Sequence, residues 1–304
     1  MTQKVLVVGA TGRQGSAVID HLLSGVHGDF AVTATTRHPY GARRRVASLK
    51  DRGVRVVKGD LDDPASYREH LNRVDAAFLV TSPTDGGADT EACRGRGFVD
   101  AAVNANLDHL VYGSAMGANR LEASGVEALS GKQRVETYLE ESKLTYTVIR
   151  PGVFVQHFER QRDQIEDGRI AWPVEPETLL AVVDVDDVGR VAATAFAHPE
   201  TYAGVHLDLA GDLLTLSEVA EGFAAVRGHD VVAEHVTDAR ERERFGALAA
   251  GLYAWYDDLG GFRLDPAPLA DLDVQPRSLQ EALVRTGWMP AEHAVDDEQA
   301  MVND

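Results

Sequence analysis

Near its amino terminus the chain runs Val5-Leu-Val-Val-Gly9-Ala10-Thr11-Gly12-Arg13-Gln14-Gly15-Ser-Ala-Val-Ile19, an apolar, β-prone run that enters three glycines and emerges as an amphipathic segment. Such a stretch predicts a strand, a tight turn and a helix, in that order. Each glycine answers a geometric demand. Gly9 permits the sharp turn, Gly12 lets the backbone approach a diphosphate, and Gly15 lets the helix pack closely on its strand. The unbonded N–H groups and the dipole of the emerging helix then make the turn an anion site. An ordinary glycine-rich strand-to-helix turn is the plainer alternative.

Downstream the same alternation repeats. Strands are expected at 30–36, 54–59, 76–80, 109–114 and 145–152, with helices at 41–51, 91–105 and 130–142 and a mobile flap at 84–89. Strands and helices that alternate with short connections predict an α/β fold, a doubly wound parallel sheet with right-handed crossovers. This part is expected to span 1–152, with a later contribution from about 179–198. A smaller α/β domain is expected over 153–290. Strands are also expected at 179–183, 205–209 and 231–236, helices at 187–198, 215–228 and 279–286, and a further helix from about Asp238 that packs through Leu248, Leu252 and Trp255. Residues 291–304 are acidic and poor in apolar side chains, and read as disordered.

Ligands of such sheets sit off the carboxyl ends of the strands, and most of the notable residues fall there. An acidic residue about twenty positions past the glycine turn would bind the ribose 2′-hydroxyl of NAD, whereas an arginine suits the extra phosphate of NADP. Arg37 lies 22 residues beyond Gly15 and favours NADP over NAD; a solvated strand-end arginine is the alternative. Asp60 ends the third strand where an adenine would be held, while Asp62 and Asp63 read as turn and cap chemistry before Pro64. Thr81-Ser82-Pro83, a polar loop after the fourth strand, would line the ribose and diphosphate.

Other chemistries fail on spacing. Gly113-Ser114-Ala-Met-Gly117 is not a hydrolase elbow, and the eleven histidines form no metal set. Asp184, Asp186 and Asp187 fit capping and a hinge, favoured by a helix dipole, and not a metal. With 48 acidic against 30 basic residues the chain carries a formal charge of −18, which repels nucleic acid. Arg43-Arg44-Arg45, the one basic run, lies too close to the glycine turn to argue for a DNA surface. A salt-rich cytoplasm is one setting in which so dense a carboxylate surface aids solubility. No apolar run suggests a membrane span or a signal peptide, so a cytoplasmic location is expected, and the lone Cys93 excludes an internal disulfide framework.

Taken together, Val-Val-Gly9-Ala-Thr-Gly12-Arg-Gln-Gly15, Thr-Arg37-His38-Pro39, Gly59-Asp60-Leu61-Asp-Asp63, Lys132 ahead of Val-Glu136-x-Tyr-Leu, and Tyr-Thr-Val-Ile-Arg150-Pro-Gly resemble the NmrA-like proteins, atypical short-chain dehydrogenase/reductases. The likeness covers about the first two hundred residues. It implies an NADP-binding Rossmann domain with a smaller C-terminal substrate-binding domain forming a cleft. Residues Gly9 to Gly15 would wrap the diphosphate, and Arg37, His38 and Pro39 the 2′-phosphate. Asp60 and Leu61 would border the adenine, Thr81, Ser82 and Pro83 the ribose, and Lys132 the nicotinamide ribose, with Val153, Phe154, Val155 and Gln156 closing over the nicotinamide.

One departure stands out. Active short-chain dehydrogenases use Tyr-x-x-x-Lys, the tyrosine exchanging a proton with the substrate oxygen. Four residues before Lys132 stands Ala128. Candidate substitutes are Lys132 itself, as in isoflavone-reductase-like enzymes, or Tyr112, His157 or Ser114; a plain surface Lys132–Glu136 pair is the bland reading. Two functions therefore remain open. One is an NADP(H)-binding redox sensor that reports to a regulatory protein; the other is an NADPH-dependent reductase of quinones or related conjugated carbonyls acting on a small-molecule substrate.

Overall fold

The computed structural model describes residues 2–40, 44–84, 86–120, 125–238 and 245–288. The acidic stretch 291–304, Arg43, Asp85 and the segment 239–244 lie outside them. The chain divides into two units. The first comprises 1–151, 185–209 and 266–274, and the second 152–184, 210–265 and 275–304.

In the first unit, strand and helix alternate as β1 Gln3–Val7, α1 Arg13–Leu23, β2 Phe30–Thr36, α2 Arg44–Asp51, β3 Arg55–Lys58, α3 Ala65–Leu71, β4 Ala76–Val80, α4 Gly87–Asn104, β5 His109–Gly113, α5 Glu127–Glu140 and β6 Tyr146–Pro151. A seventh strand, Val205–Leu209, joins β6, so the order across the sheet is Val205–Leu209, β6, β5, β4, β1, β2, β3, all parallel. Strands covered on both faces need no alternation, which is why β4 reads as an unbroken Ala-Ala-Phe-Leu-Val. One face of the sheet carries the core of Leu6, Leu79, Phe98, Leu110, Tyr112 and Leu139. The helix Val185–Ala197 lies on α1 so closely that a Cβ on Gly189 would fall 2.4 Å from the Ala17 carbonyl oxygen. The sheet order reverses between β4 and β1, so the loops after both strands border one crevice.

The second unit holds a three-stranded sheet, with Leu180–Val183 between Asp212–Leu214 and Val153–Phe154, and a parallel pair, Arg169–Trp172 with Val232–His235. Leu180–Val183 was expected with the first unit; its hydrogen-bonded partners place it here. The helix Ala267–Asp271 is a further departure, since it belongs to the first unit. Phe158, Trp172, Phe223 and Trp288 form an aromatic core, with the Arg162 guanidinium 3.9 Å above the Trp288 ring. Two capping boxes start its helices, Thr215 with Glu218 and Ser278 with Glu281, each satisfying two backbone N–H groups that the helix leaves open. The helix expected from Asp238 begins at Ala247, and it buries Tyr253, Trp255 and Tyr256 while Leu248 and Leu252 are half-buried.

Candidate functional site

The glycine turn has the geometry its sequence demands. Gly9 sits at φ +71°, where a side chain would be strained and its Cβ would fall 2.6 Å from Val80 Cγ1. A Cβ on Gly15 would meet the Gly9 carbonyl oxygen at 2.4 Å, so helix and turn approach to a distance only glycine allows. Gly12 caps α1 in an extended conformation with no side-chain cap, and no acidic residue stands in the first turn. Those opening amides, with the helix dipole behind them, offer a site for an anion. Gln14 Oε1 is buried there without a hydrogen-bond partner, against Gly113.

Strand ends gather the other expected residues at the same edge of the sheet. Arg37 and His38 are exposed just past β2, and Pro39 is buried. Asp60 and Leu61 follow β3, half-buried, with Ser66 Oγ accepting the Asp60 N–H at 2.8 Å. Asp62 does more than shape a turn: it accepts Arg94 Nε and Nη2 of α4 at 2.7 and 2.6 Å. Arg45, read only as part of a basic run, reaches from α2 to donate to the Thr11 carbonyl at 2.6 Å, which brings its guanidinium to the glycine turn.

Lys132 is neither exposed nor paired with Glu136. Its Nζ lies 3.0 Å from Glu91 Oε1 and donates to the Thr81 carbonyl at 3.0 Å, with the Tyr112 ring 6.0 Å away. A carboxylate only accepts, so the Thr81 hydroxyl donates to Glu91 (2.8 Å), and the Tyr112 hydroxyl must donate in turn to Thr81 (2.9 Å). Burial, and then the charge of Glu91, push the Tyr112 phenol well above its ordinary range. Tyr112 is 0% exposed, and its hydroxyl proton goes to Thr81. Glu91 was missed. Its signal was there: a carboxylate on the buried stripe Ala88, Glu91, Ala92, Gly95, Phe98, Val99 of α4.

Ser114 offers no free proton either. It donates to Glu136, whose carboxylate is held by Arg150 Nε at 3.0 Å and Nη2 at 2.6 Å in a buried, two-pronged pair. The expected flap at 84–89 is in part helix, because α4 already begins at Gly87 and its Ala88 N–H donates to Glu127 Oε1 at 2.7 Å. In the second unit, Val153 and Phe154 form a short strand, and Val155, Gln156 and His157 open the 3-10 helix Val155–Gln161. Asp184, expected as a cap or hinge, is fully buried there and binds Gln156 at 2.7 Å and Arg285 at 2.5 and 2.6 Å.

Among the described residues, no helix is long and apolar enough to cross a membrane. The sequence model of the NmrA-like family matches residues 1–268. An NAD(P)H azoreductase of Xenophilus azovorans is 28% identical over 228 residues, 75% of each chain. Of solved structures, the triphenylmethane reductase of a Citrobacter species complexed with NADP(H) superimposes with a TM-score of 0.78 at 22% identity, covering 93% of this chain and 99% of that one. NmrA, a negative transcriptional regulator in complex with NADP, gives 0.73 at 19% identity over 92% and 94%.

Proposed function

Because the chain belongs to the NmrA-like family, we propose that it binds NADP(H) through its first unit and directs hydride to a conjugated organic acceptor such as a quinone or an azo compound. The observation that carries the binding is the uncapped start of α1 behind Gly9, Gly12 and Gly15, at the place where the strand order reverses. There the α1 amides hold the diphosphate, and Arg37 and Arg45, with His38 and Pro39, bind the 2′-phosphate. Asp60 and Leu61 border the adenine, Thr81, Ser82 and Pro83 the ribose, and Lys132 the second ribose. The bound dinucleotide supplies a hydride.

The chain's own part is positioning. Glu91 and the Thr81 carbonyl take two of the three Lys132 protons and fix its ammonium at the end of β4. With Ala128 in place of a tyrosine, and with Tyr112 and Ser114 committed, this network leaves only the third Lys132 proton uncommitted. A quinone that accepts hydride becomes a delocalised hydroquinone anion and can take its proton from water, so such acceptors suit this site. The names of the azoreductase and the triphenylmethane reductase support this class. The same committed protons, with the likeness to NmrA, favour the second reading, a dinucleotide-reporting regulator.

Steady-state NADPH oxidation against a panel of quinones and azo compounds separates the two. Turnover above the uncatalysed rate is expected. If calorimetry shows NADPH bound and no acceptor is reduced, the reductase reading falls and the regulator remains.

A further inference from the structure

Within the second unit, a cavity of about 330 Å³ is lined by the strand Arg169–Trp172, its parallel partner Val232–His235, the segment 157–164 and the helix Ala247–Leu259. One wall is aromatic: Phe245 and Tyr253 both meet the Trp172 ring near edge-on, at centroid distances of 5.2 and 5.5 Å. Ala249, one helical turn before Tyr253, contributes only a methyl group to that wall, and the space of a larger side chain stays open.

The polar side is incomplete. Gln161 is 9% exposed, and its Oε1 accepts the Ala171 N–H at 2.9 Å. Its Nε2 is therefore the donor end, buried with no acceptor among the described residues. Buried donors are nearly always satisfied, so this one lacks a partner the protein does not supply. Charge points the same way. Arg169 pairs with Glu234 at 3.5 Å across the two strands and is neutralised, whereas Arg160, also lining the cavity, has no counter-ion among the described residues.

We infer that this cavity binds a planar aromatic ligand bearing one acidic group, its ring on the Trp172–Tyr253 wall and its anionic oxygens taken by Arg160 and the Gln161 amide. Aromatic walls reward flat rings, and an unmatched guanidinium rewards an anion. The site needs no dinucleotide, so it stands or falls apart from the proposed reductase activity.

The test is calorimetric titration of the full-length, dinucleotide-free protein with 2-naphthalenesulfonate and with its uncharged sulfonamide. The sulfonate is expected to bind at one site, about tenfold or more tighter than the sulfonamide. Arg160→Gln, at an exposed position, should remove that difference by weakening the sulfonate alone. Ala249→Leu should abolish both by filling the space. Should that variant fail to fold, Trp172→Phe probes the same wall by another readout, because it should remove the ligand-dependent change in intrinsic fluorescence while binding persists. No binding, equal affinity for the two ligands, an Arg160→Gln protein that still prefers the sulfonate, or a fluorescence change that survives Trp172→Phe would each overturn the assignment.

Discussion

At the scale of single residues, space and charge decide most. A Cβ at Gly15 would sit 2.4 Å from the Gly9 carbonyl oxygen, so Gly15→Ala must push α1 away from the turn. Overpacking of this kind costs about 1–3 kcal/mol. The same shift disperses the amides proposed to face the phosphates, and calorimetry on this variant should show lost NADP binding even where the fold survives. Lys132 and Glu91 form a buried pair whose desolvation is offset only while both are present. Lys132→Met should therefore destabilise by about 3–5 kcal/mol in urea denaturation, and Lys132→Met with Glu91→Gln by clearly less than the sum of the single changes. Additive losses would mean that the two charges do not depend on each other.

At the scale of elements, β5 and β6 are tied by a neutral histidine. His109 of β5 is fully buried, its Nε2 2.9 Å from Thr147 Oγ1 of β6, and burial lowers its pKa from 6.5 to about 4. Between those values the unfolded chain binds a proton that the folded chain does not. Stability is thus complete above about pH 6.5 and falls as the pH drops toward 4, by about 3 kcal/mol from this group. Thermal midpoints of His109→Gln, which keeps a partner for Thr147, should decline less over that interval than those of the parent protein; parallel declines would contradict this.

The six strands of the alternating region were legible because each has a β-prone apolar centre between polar turns, and β2 and β4 have the bounds their sequences suggest. What local pattern hid was long-range. Gly86 and Gly87, at φ +106° and +74°, read as a loop, yet α4 starts there because Glu127, 39 residues from Ala88, accepts an N–H of its first turn. Lys132 and Glu136 have the spacing of an ion pair on one helix face. Instead each turns to a buried partner on another element, Glu91 and Arg150, that helical spacing does not point to. In the candidate site the backbone features were legible, because glycine spacing carries them. The charge network was not, because it joins β4, α4, β5 and α5.

At the scale of the whole molecule, a formal charge of −18 repels a phosphate-rich ligand at a distance. On the proposed reading, recognition comes from short-range groups: the opening amides of α1, and the guanidinium groups of Arg37 beyond β2 and Arg45 from α2. Arg37→Asp adds a repulsive carboxylate where the 2′-phosphate is expected, and should turn a preference for NADP into one for NAD. Calorimetric titration of purified, nucleotide-free protein with NADP and with NAD tests the account most directly. It predicts one molecule of NADP bound per chain, at least about tenfold tighter than NAD; no association with either dinucleotide would contradict it.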